Sequence, residues 1–289
     1  MDSPEWFKTA LAEPSQSRFV QLDAHRIHYL TWGEPSRQPL ILVHGNGAHA
    51  EWWRFIAPLL LPDYFVIALD LGGMGESSHR PDYSREGYVD EVLAVAADAA
   101  PGRKPFIVGH SLGGFITIMV VARAGAGLAG AIAVDSPIRL PAWSGGRGFR
   151  KNDGFKPTYP DLETGMARFR LIPDQPCDNL FIIDHIARNS LQQRNGSWTW
   201  KFDPTPPPDF FSQNYDDTLL APACSMALAW GSNSAFFPPE SVARIRQLLG
   251  QRMPLIEIAG AHHHVMLDQP IALVAAIRTQ LANWSLPPR

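Results

Sequence analysis

The sequence predicts an α/β domain: a doubly wound, mostly parallel sheet interrupted by a helical insertion. Three observations lead there. Continuous apolar runs alternate with stretches of helical length. That rhythm stops after Asp135 and resumes near Cys224, and the gap is filled with prolines and aromatic residues. Apolar runs without polar alternation mark strands buried on both faces, as in a parallel sheet covered by helices.

The first two segments, RFVQL and RIHYLTW, are expected to pair as an edge hairpin with Asp23 and Ala24 near its turn. Four apolar runs follow: PLILVHG, YFVIALD, PFIVGHS and GAIAVDS. Between them, AEWWRFIAPLL, SREGYVDEVLAVAADAA and GGFITIMVVARA have helix length and helix-like spacing. Residues 115–134 carry one charge, Arg123, and meet the length of a membrane span. The glycines of RAGAGLAG and the run AIAVD divide them instead into a buried helix, a turn and a buried strand.

Residues 137–222 hold eleven prolines and no clear strand. Helices are expected over roughly 160–171 and 178–193, the second with Asp178 as N-cap. The cluster DPTPPPDFF reads as an extended connection. The rhythm then returns with CSMALAWG, a helix over 239–249, PLIEIAG, and a last helix from about 267 to 284. The expected division is a core of residues 1–136 and 223–289 carrying a mainly helical cap of residues 137–222.

At 289 residues, with 45% hydrophobic and 18% charged residues, the composition is that of a soluble globular protein. A formal charge of −3 without a basic stripe argues against nucleic acid and anionic membrane as partners. The opening MDSPEWFKTALAEP lacks the basic head and apolar core of a secretory signal, and Cys177 and Cys224 are the only cysteines. A reducing compartment, the cytoplasm, is the expectation. A small-molecule substrate is the expected partner, and a homodimer stays open.

The most informative stretch is FIVGHSLGG. It fits G-x-S-x-G through Gly109, Ser111 and Gly113, between an apolar strand and an apolar helix. A serine on a strained strand-to-helix turn needs small neighbours two residues before and after it. The helix behind it offers unpaired N–H groups that favour negative charge. Upstream, HGNGAHAEWW follows the third run; its turn places the amide of Asn46 with that of Leu112 as an expected oxyanion hole. His44 and His110, flanking these turns, are candidates for the substrate pocket.

These motifs, with LDLGGMGESS and GAHHHVMLDQP in the same order, resemble the α/β-hydrolase fold superfamily. The resemblance covers the chain except the insertion, which falls where that superfamily carries a variable cap. It implies an eight-stranded, mostly parallel sheet with catalytic groups on loops at the strand ends. No cofactor is expected. In the superfamily the catalytic histidine precedes, by about five residues, an acidic residue and proline that open the final helix. Counting back from Asp268 gives His263 as general base. His262 and His264 are expected to point elsewhere on an extended loop, and Asp268 to start the last helix. Adjacent histidines rarely converge on one ion, so no metal is expected.

The superfamily usually places its acid after the seventh strand, where this chain reads Gly231, Ser232, Asn233, Ser234. Some similar members use an acid after the sixth strand instead, which points to Asp135. Two alternatives stay open: Asp135 only caps its loop, or Ser234 or Asn233 holds His263 by a neutral hydrogen bond. Asp70 in LDLGGMGESS braces its turn in the superfamily.

Serine in place of the aspartate used by epoxide hydrolases and haloalkane dehalogenases points to acyl transfer. Rings in the insertion, Trp143, Trp198 and Trp200 among them, suggest a pocket for an apolar group. Arg147, Arg150 and Lys151 suggest a solvated loop or a lid. The expected activity is hydrolysis of a small, largely apolar carboxylic ester or lactone through an acyl-enzyme. The alternatives are a carbon–carbon bond hydrolase of aromatic ring-fission products, and a ligand-binding receptor that keeps the pocket.

Overall fold

A short helix α1 (Glu5–Ala12) leads into the predicted hairpin, β1 (Gln16–Leu22) and β2 (His25–Trp32), which turns at Asp23 with φ of 53°. The computed structural model describes residues 3–136, 156–204 and 215–286. The core continues through β3 (Gln38–Val43), β4 (Tyr64–Leu69), α2 (Arg85–Ala99), β5 (Phe106–His110), α3 (Leu112–Ala124) and β6 (Gly130–Val134). The inserted segment contains β7 (Thr158–Tyr159), α4 (Leu162–Met166), α5 (Leu180–Asn189), β8 (Leu191–Arg194), β9 (Ser197–Trp200) and α6 (Asp216–Leu220). β10 (Met226–Gly231), α7 (Pro239–Leu249), β11 (Leu255–Ile258), α8 (Val265–Asp268) and α9 (Pro270–Ser285) complete the chain.

Eight strands form one sheet in the order β1-β2-β4-β3-β5-β6-β10-β11, antiparallel at β1-β2 and β2-β4 and parallel from β4 onward. Alternate strand residues feed two cores. Ile41, Val43, Ile107, Ala133 and Trp230 pack with Val92 of α2 and Phe115 of α3 on one face. Leu40, Leu42, Val108, Val134 and Ala229 pack with Trp53 and with Leu273 and Ile277 of α9 on the other.

After β3 the chain crosses to β4 on one side and later to β5 on the other. Strand order reverses there, and such a switch point opens a crevice at the carboxyl ends of the strands. The register makes those ends nearly flush: Val43 pairs with Gly109, His110 with Val134, and Val134 with Ala229. Residues following β3, β5, β6 and β10 therefore emerge side by side.

The structure corrects four local expectations. AEWWRFIAPLL forms two short 3₁₀ turns, Ala50–Trp53 and Ala57–Leu60, because Pro58 lacks the N–H a continuous helix needs there. The last helix is split by Pro270, which drives Gln269 out of the helical region to φ −131°. The helix expected over 178–193 ends at Asn189, and Asn179 rather than Asp178 is its N-cap. LQQRNGSWTW is instead a β8–β9 hairpin, turning on Asn195 (φ 49°) and Gly196 (φ 78°). The dipeptide Asn-Gly between two extended runs is the usual two-residue hairpin signal. With β7, these strands form a three-stranded sheet, so the described part of the insertion holds a small sheet beside its helices.

Residues 115–134 form the buried helix, turn and strand expected of them. No helix among the described residues is long and apolar enough to cross a membrane. Cys177 and Cys224 are both free.

Candidate active site

Four non-glycine residues among those described have positive φ: Asp23, Ser111, Asp135 and Asn195. Asp23 and Asn195 lie in hairpin turns. Ser111 (φ 54°) and Asp135 (φ 47°) instead sit at the adjacent ends of β5 and β6. Such backbone costs about 1–3 kcal/mol per residue and persists only where surrounding contacts impose it.

Those contacts are visible around Ser111. Its N–H donates to Val134 O (2.9 Å), and its carbonyl accepts from Gly114 N (3.0 Å) and Ser136 Oγ (2.9 Å). A side chain at position 109 would sit 2.1 Å from Gly113 O, and one at position 113 would sit 2.3 Å from Val43 O. Glycine at both positions lets α3 begin against the ends of β3 and β5, with Ser111 at its N-cap. The Leu112 amide, in the first turn, has no carbonyl of its own helix to reach and is free to face an anion.

The loop after β3 runs alongside. A Cβ on Gly45 would lie 3.3 Å from Ser111 Cβ, so this backbone passes directly against the serine. Asn46 and Gly47 (φ 68°) form the turn that follows, closed by Ala48 N donating to Gly45 O (3.2 Å). Asn46 is exposed and follows directly on Gly45, the residue packed against Ser111.

His44 was expected to line the pocket, but both its ring nitrogens are taken. Nδ1 donates to Gly45 O (2.7 Å) and Nε2 accepts from Leu71 N (3.0 Å). It ties the loop after β3 to the glycine-rich turn after β4. His110 is likewise buried, and its Nε2 donates to His263 O (2.9 Å).

At the end of β6, Asp135 receives three donors. His263 Nδ1 and Ser234 Oγ each lie 2.7 Å from Oδ1, and Gly231 N lies 2.9 Å from Oδ2. Burial pushes the Asp135 pKa up, while three converging donors are the environment of an ionised, acceptor-only carboxyl. Burial pushes His263 below the ordinary histidine range. With Nδ1–H given to Asp135, Nε2 is the nitrogen left to take a proton. The edge of Phe236 packs on the His263 ring, at 4.8 Å between centroids. Ser234, where the acid is usually sought, donates its hydroxyl to Asp135.

The loop carrying His263 is a bend rather than an extended run, and the rings of His263 and His264 lie 4.8 Å apart. His262 turns away: its N–H and ring Nδ1 meet Asp268 Oδ2 at 2.6 and 3.1 Å. Asp268 thus closes the histidine loop instead of capping the last helix, which starts beyond it.

A second hydroxyl–imidazole–carboxylate chain runs from Ser17 to His28 (2.9 Å) and on to Asp70 (2.7 Å). Ser17 lies in the extended edge strand β1, without an elbow or a helix behind it. Asp70 also accepts from the amides of Ala50 (2.6 Å) and Glu76 (2.9 Å), so it braces the turn after β4. Three residue types in a row do not make a site; backbone geometry separates Ser111 from Ser17.

The inserted segment grips both flanks of this region. Gln175 accepts from His264 N (2.8 Å) and donates to Asp268, while Asn179 donates to Leu267 O (2.6 Å). On the other flank Asp203 N donates to Gly73 O (2.6 Å) and Tyr83 donates to Asp203 (2.7 Å). Ser190 meets His49 at 2.8 Å. Nothing in the sequence marks these polar clasps, because their partners lie roughly 90 to 140 residues apart. Trp200 packs within the insertion against Tyr159, Phe169 and Phe202, and its Nε1 donates to Tyr159 (3.1 Å). Trp198 is half-buried on the same strand. Trp143, with Arg147, Arg150 and Lys151, lies outside the described residues.

Burial also holds His44, His49, His110 and His264 below the ordinary histidine range, His49 and His110 at about 3. In the unfolded chain the same groups titrate near pH 6.5. Below that value the unfolded state binds more protons, so stability falls by up to about 1.4 kcal/mol per pH unit for each histidine. The melting temperature is expected to hold above pH 7 and drop steeply from about pH 6 toward pH 4. A calorimetric melting series that stayed flat from pH 7 to 5 would show that these imidazoles are not buried as neutral groups.

Comparison with known proteins agrees with this architecture. The pattern of the Alpha/beta hydrolase family matches residues 40–277. Esterase Rv0045c of Mycobacterium tuberculosis is 29% identical over 275 residues, covering 89% of this chain and 87% of that protein. Its solved structure superposes with a TM-score of 0.72 at 22% identity, over 96% of this chain and 95% of that one. The thioesterase domain from the curacin biosynthetic pathway superposes at 0.75 with 22% identity, over 92% and 99%. The chain belongs to the alpha/beta hydrolase family.

Proposed function

We propose that the protein hydrolyses a small, largely apolar carboxylic ester or lactone, with Ser111 as nucleophile, His263 as general base and Asp135 as the acid behind it. The observation that carries this reading is the buried 2.7 Å contact between His263 Nδ1 and Asp135 beside a serine held at positive φ. Ser111 Oγ attacks the carbonyl carbon as its proton passes to His263 Nε2. The amides of Asn46 and Leu112 receive the oxyanion. The alkoxide leaves with the proton from His263, giving an acyl-Ser111. Water then attacks that ester, His263 takes its proton and returns it to Ser111, and the acid is released.

Similarity to a named esterase along nearly the whole chain supports an ester substrate. The apolar preference rests on Phe236 against His263 and the aromatic insertion. The match to 2-hydroxy-6-oxo-6-(2'-aminophenyl)hexa-2,4-dienoic acid hydrolase of Metapseudomonas resinovorans, 37% identical, spans only 36% of the chain and 38% of that protein. An acid after β6 rather than β10 also departs from the pattern expected of ring-fission hydrolases.

A fluorophosphonate probe is expected to label Ser111 alone, leaving Ser17 untouched, and labelling is expected to disappear in Ser111→Ala. Short-chain p-nitrophenyl esters and lactones should turn over, and a vinylogous diketone should not. Turnover of the diketone alone would transfer the assignment to carbon–carbon cleavage; neither labelling nor turnover would mean a receptor.

A further inference from the structure

His263 and His264 are joined by a third imidazole from elsewhere in the chain, His110 at the end of β5. All three are buried, and one ring nitrogen from each lies within 4.8 Å of the others. Their hydrogen bonds determine which nitrogens carry lone pairs. His110 donates through Nε2 to His263 O, leaving Nδ1 as a bare acceptor, and that buried atom has no hydrogen-bond partner. Buried polar atoms without partners are uncommon and call for an explanation. His263 donates through Nδ1 to Asp135, leaving Nε2 bare. Both ring nitrogens of the buried His264 are without a hydrogen-bond partner, so one of them is free to turn its lone pair toward the other two rings.

We propose that His110, His263 and His264 form a binding site for a borderline-soft divalent transition metal ion, Zn²⁺ or Cu²⁺, whose occupancy switches the hydrolase off. Three imidazoles select such ions over Mg²⁺ or Ca²⁺, which require oxygen donors. Asp135 behind His263 reproduces the carboxylate–histidine pairing that orients metal-bound imidazoles, and its charge offsets part of the ion's.

Zn–N bonds of about 2.0–2.1 Å place tetrahedral ligand nitrogens about 3.4 Å apart, so the rings must draw inward by roughly an ångström. That adjustment makes the site a reversible one rather than a structural zinc centre. Once His263 Nε2 holds the ion it has no lone pair for the Ser111 proton. The inhibitory consequence rests on the role given to His263 above; the binding itself does not.

Metal-stripped protein is titrated with Zn²⁺, Cu²⁺ and Mg²⁺ while ester hydrolysis is followed. Zn²⁺ and Cu²⁺ are expected to inhibit at micromolar concentration, reversibly with EDTA, and millimolar Mg²⁺ is expected to have no effect. His264→Leu should hydrolyse the ester near the wild-type rate and need at least tenfold more Zn²⁺ for half-inhibition. Ser111→Ala should still bind one Zn²⁺ per chain by calorimetry. Its Cu²⁺ complex should show hyperfine coupling to several imidazole nitrogens by electron paramagnetic resonance, a readout that needs neither turnover nor a folded His264 variant. Unchanged inhibition in a folded His264→Leu, or a Cu²⁺ complex without nitrogen coupling, overturns the site. Nitrogen-coupled metal bound to a protein that cleaves no ester would keep the site and reject the hydrolytic role.

Discussion

Ser111→Ala is expected to lower kcat toward a short-chain p-nitrophenyl ester by about 10⁶-fold, the scale of loss when a serine triad loses its nucleophile. KM is expected to stay within about threefold, because the hydroxyl contributes to the reacting bond rather than to holding the ester. The substitution keeps a Cβ at φ 54°, so the backbone strain is unchanged and the melting temperature should move little. Steady-state kinetics with a circular-dichroism melt checks both points. Activity within tenfold of wild type in a folded Ser111→Ala would mean that another group attacks the ester. His28 and Ser17 would then be the next pair to test, since they already share a hydrogen bond with Asp70 behind them.

Asp135→Asn is expected to reduce kcat by about 10³–10⁴-fold, in line with loss of the orienting acid in serine triads. The amide is isosteric, so the fold should survive. Its NH₂ group, however, can donate to His263 Nδ1 and move the ring proton to Nε2, where it blocks general-base action. Removing charge from a pocket that holds three donors also leaves the imidazolium formed during attack without its counter-ion. Ser234→Ala takes away one of those donors and keeps the carboxylate, so its loss should stay below roughly 10²-fold. The reverse order, a nearly active Asp135→Asn and a crippled Ser234→Ala, would reject Asp135 as the acid. The acid limb of kcat/KM should also lie below pH 6.5 in the wild type, because burial lowers His263 and its neutral form does the work.

Much of this molecule was legible along the chain, for a physical reason. Strand and helix periods are local, so the runs around Ile41, Ile67, Ile107 and Ile132 announced a parallel sheet without any knowledge of their partners. The elbow at Ser111 was equally local, since the glycines that make room for it sit two residues away on either side. Where a short-range cue was present but outweighed, as at Asn195 and Gly196, the helical spacing of residues 178–193 hid a hairpin.

The sequence by itself determined the order of the strands along the chain, the strained serine and the expectation that one histidine of three would act with it. Tertiary structure alone decided what stands around that histidine. The flush ends of β6 and β10 bring Asp135, Gly231 and Ser234 together from about a hundred positions apart. The bend after β11 turns His262 outward and His264 inward beside His110. Periodicity records which face of an element is buried. It carries no information on which distant loop meets it there, and hydrogen-bond partners are chosen by that meeting.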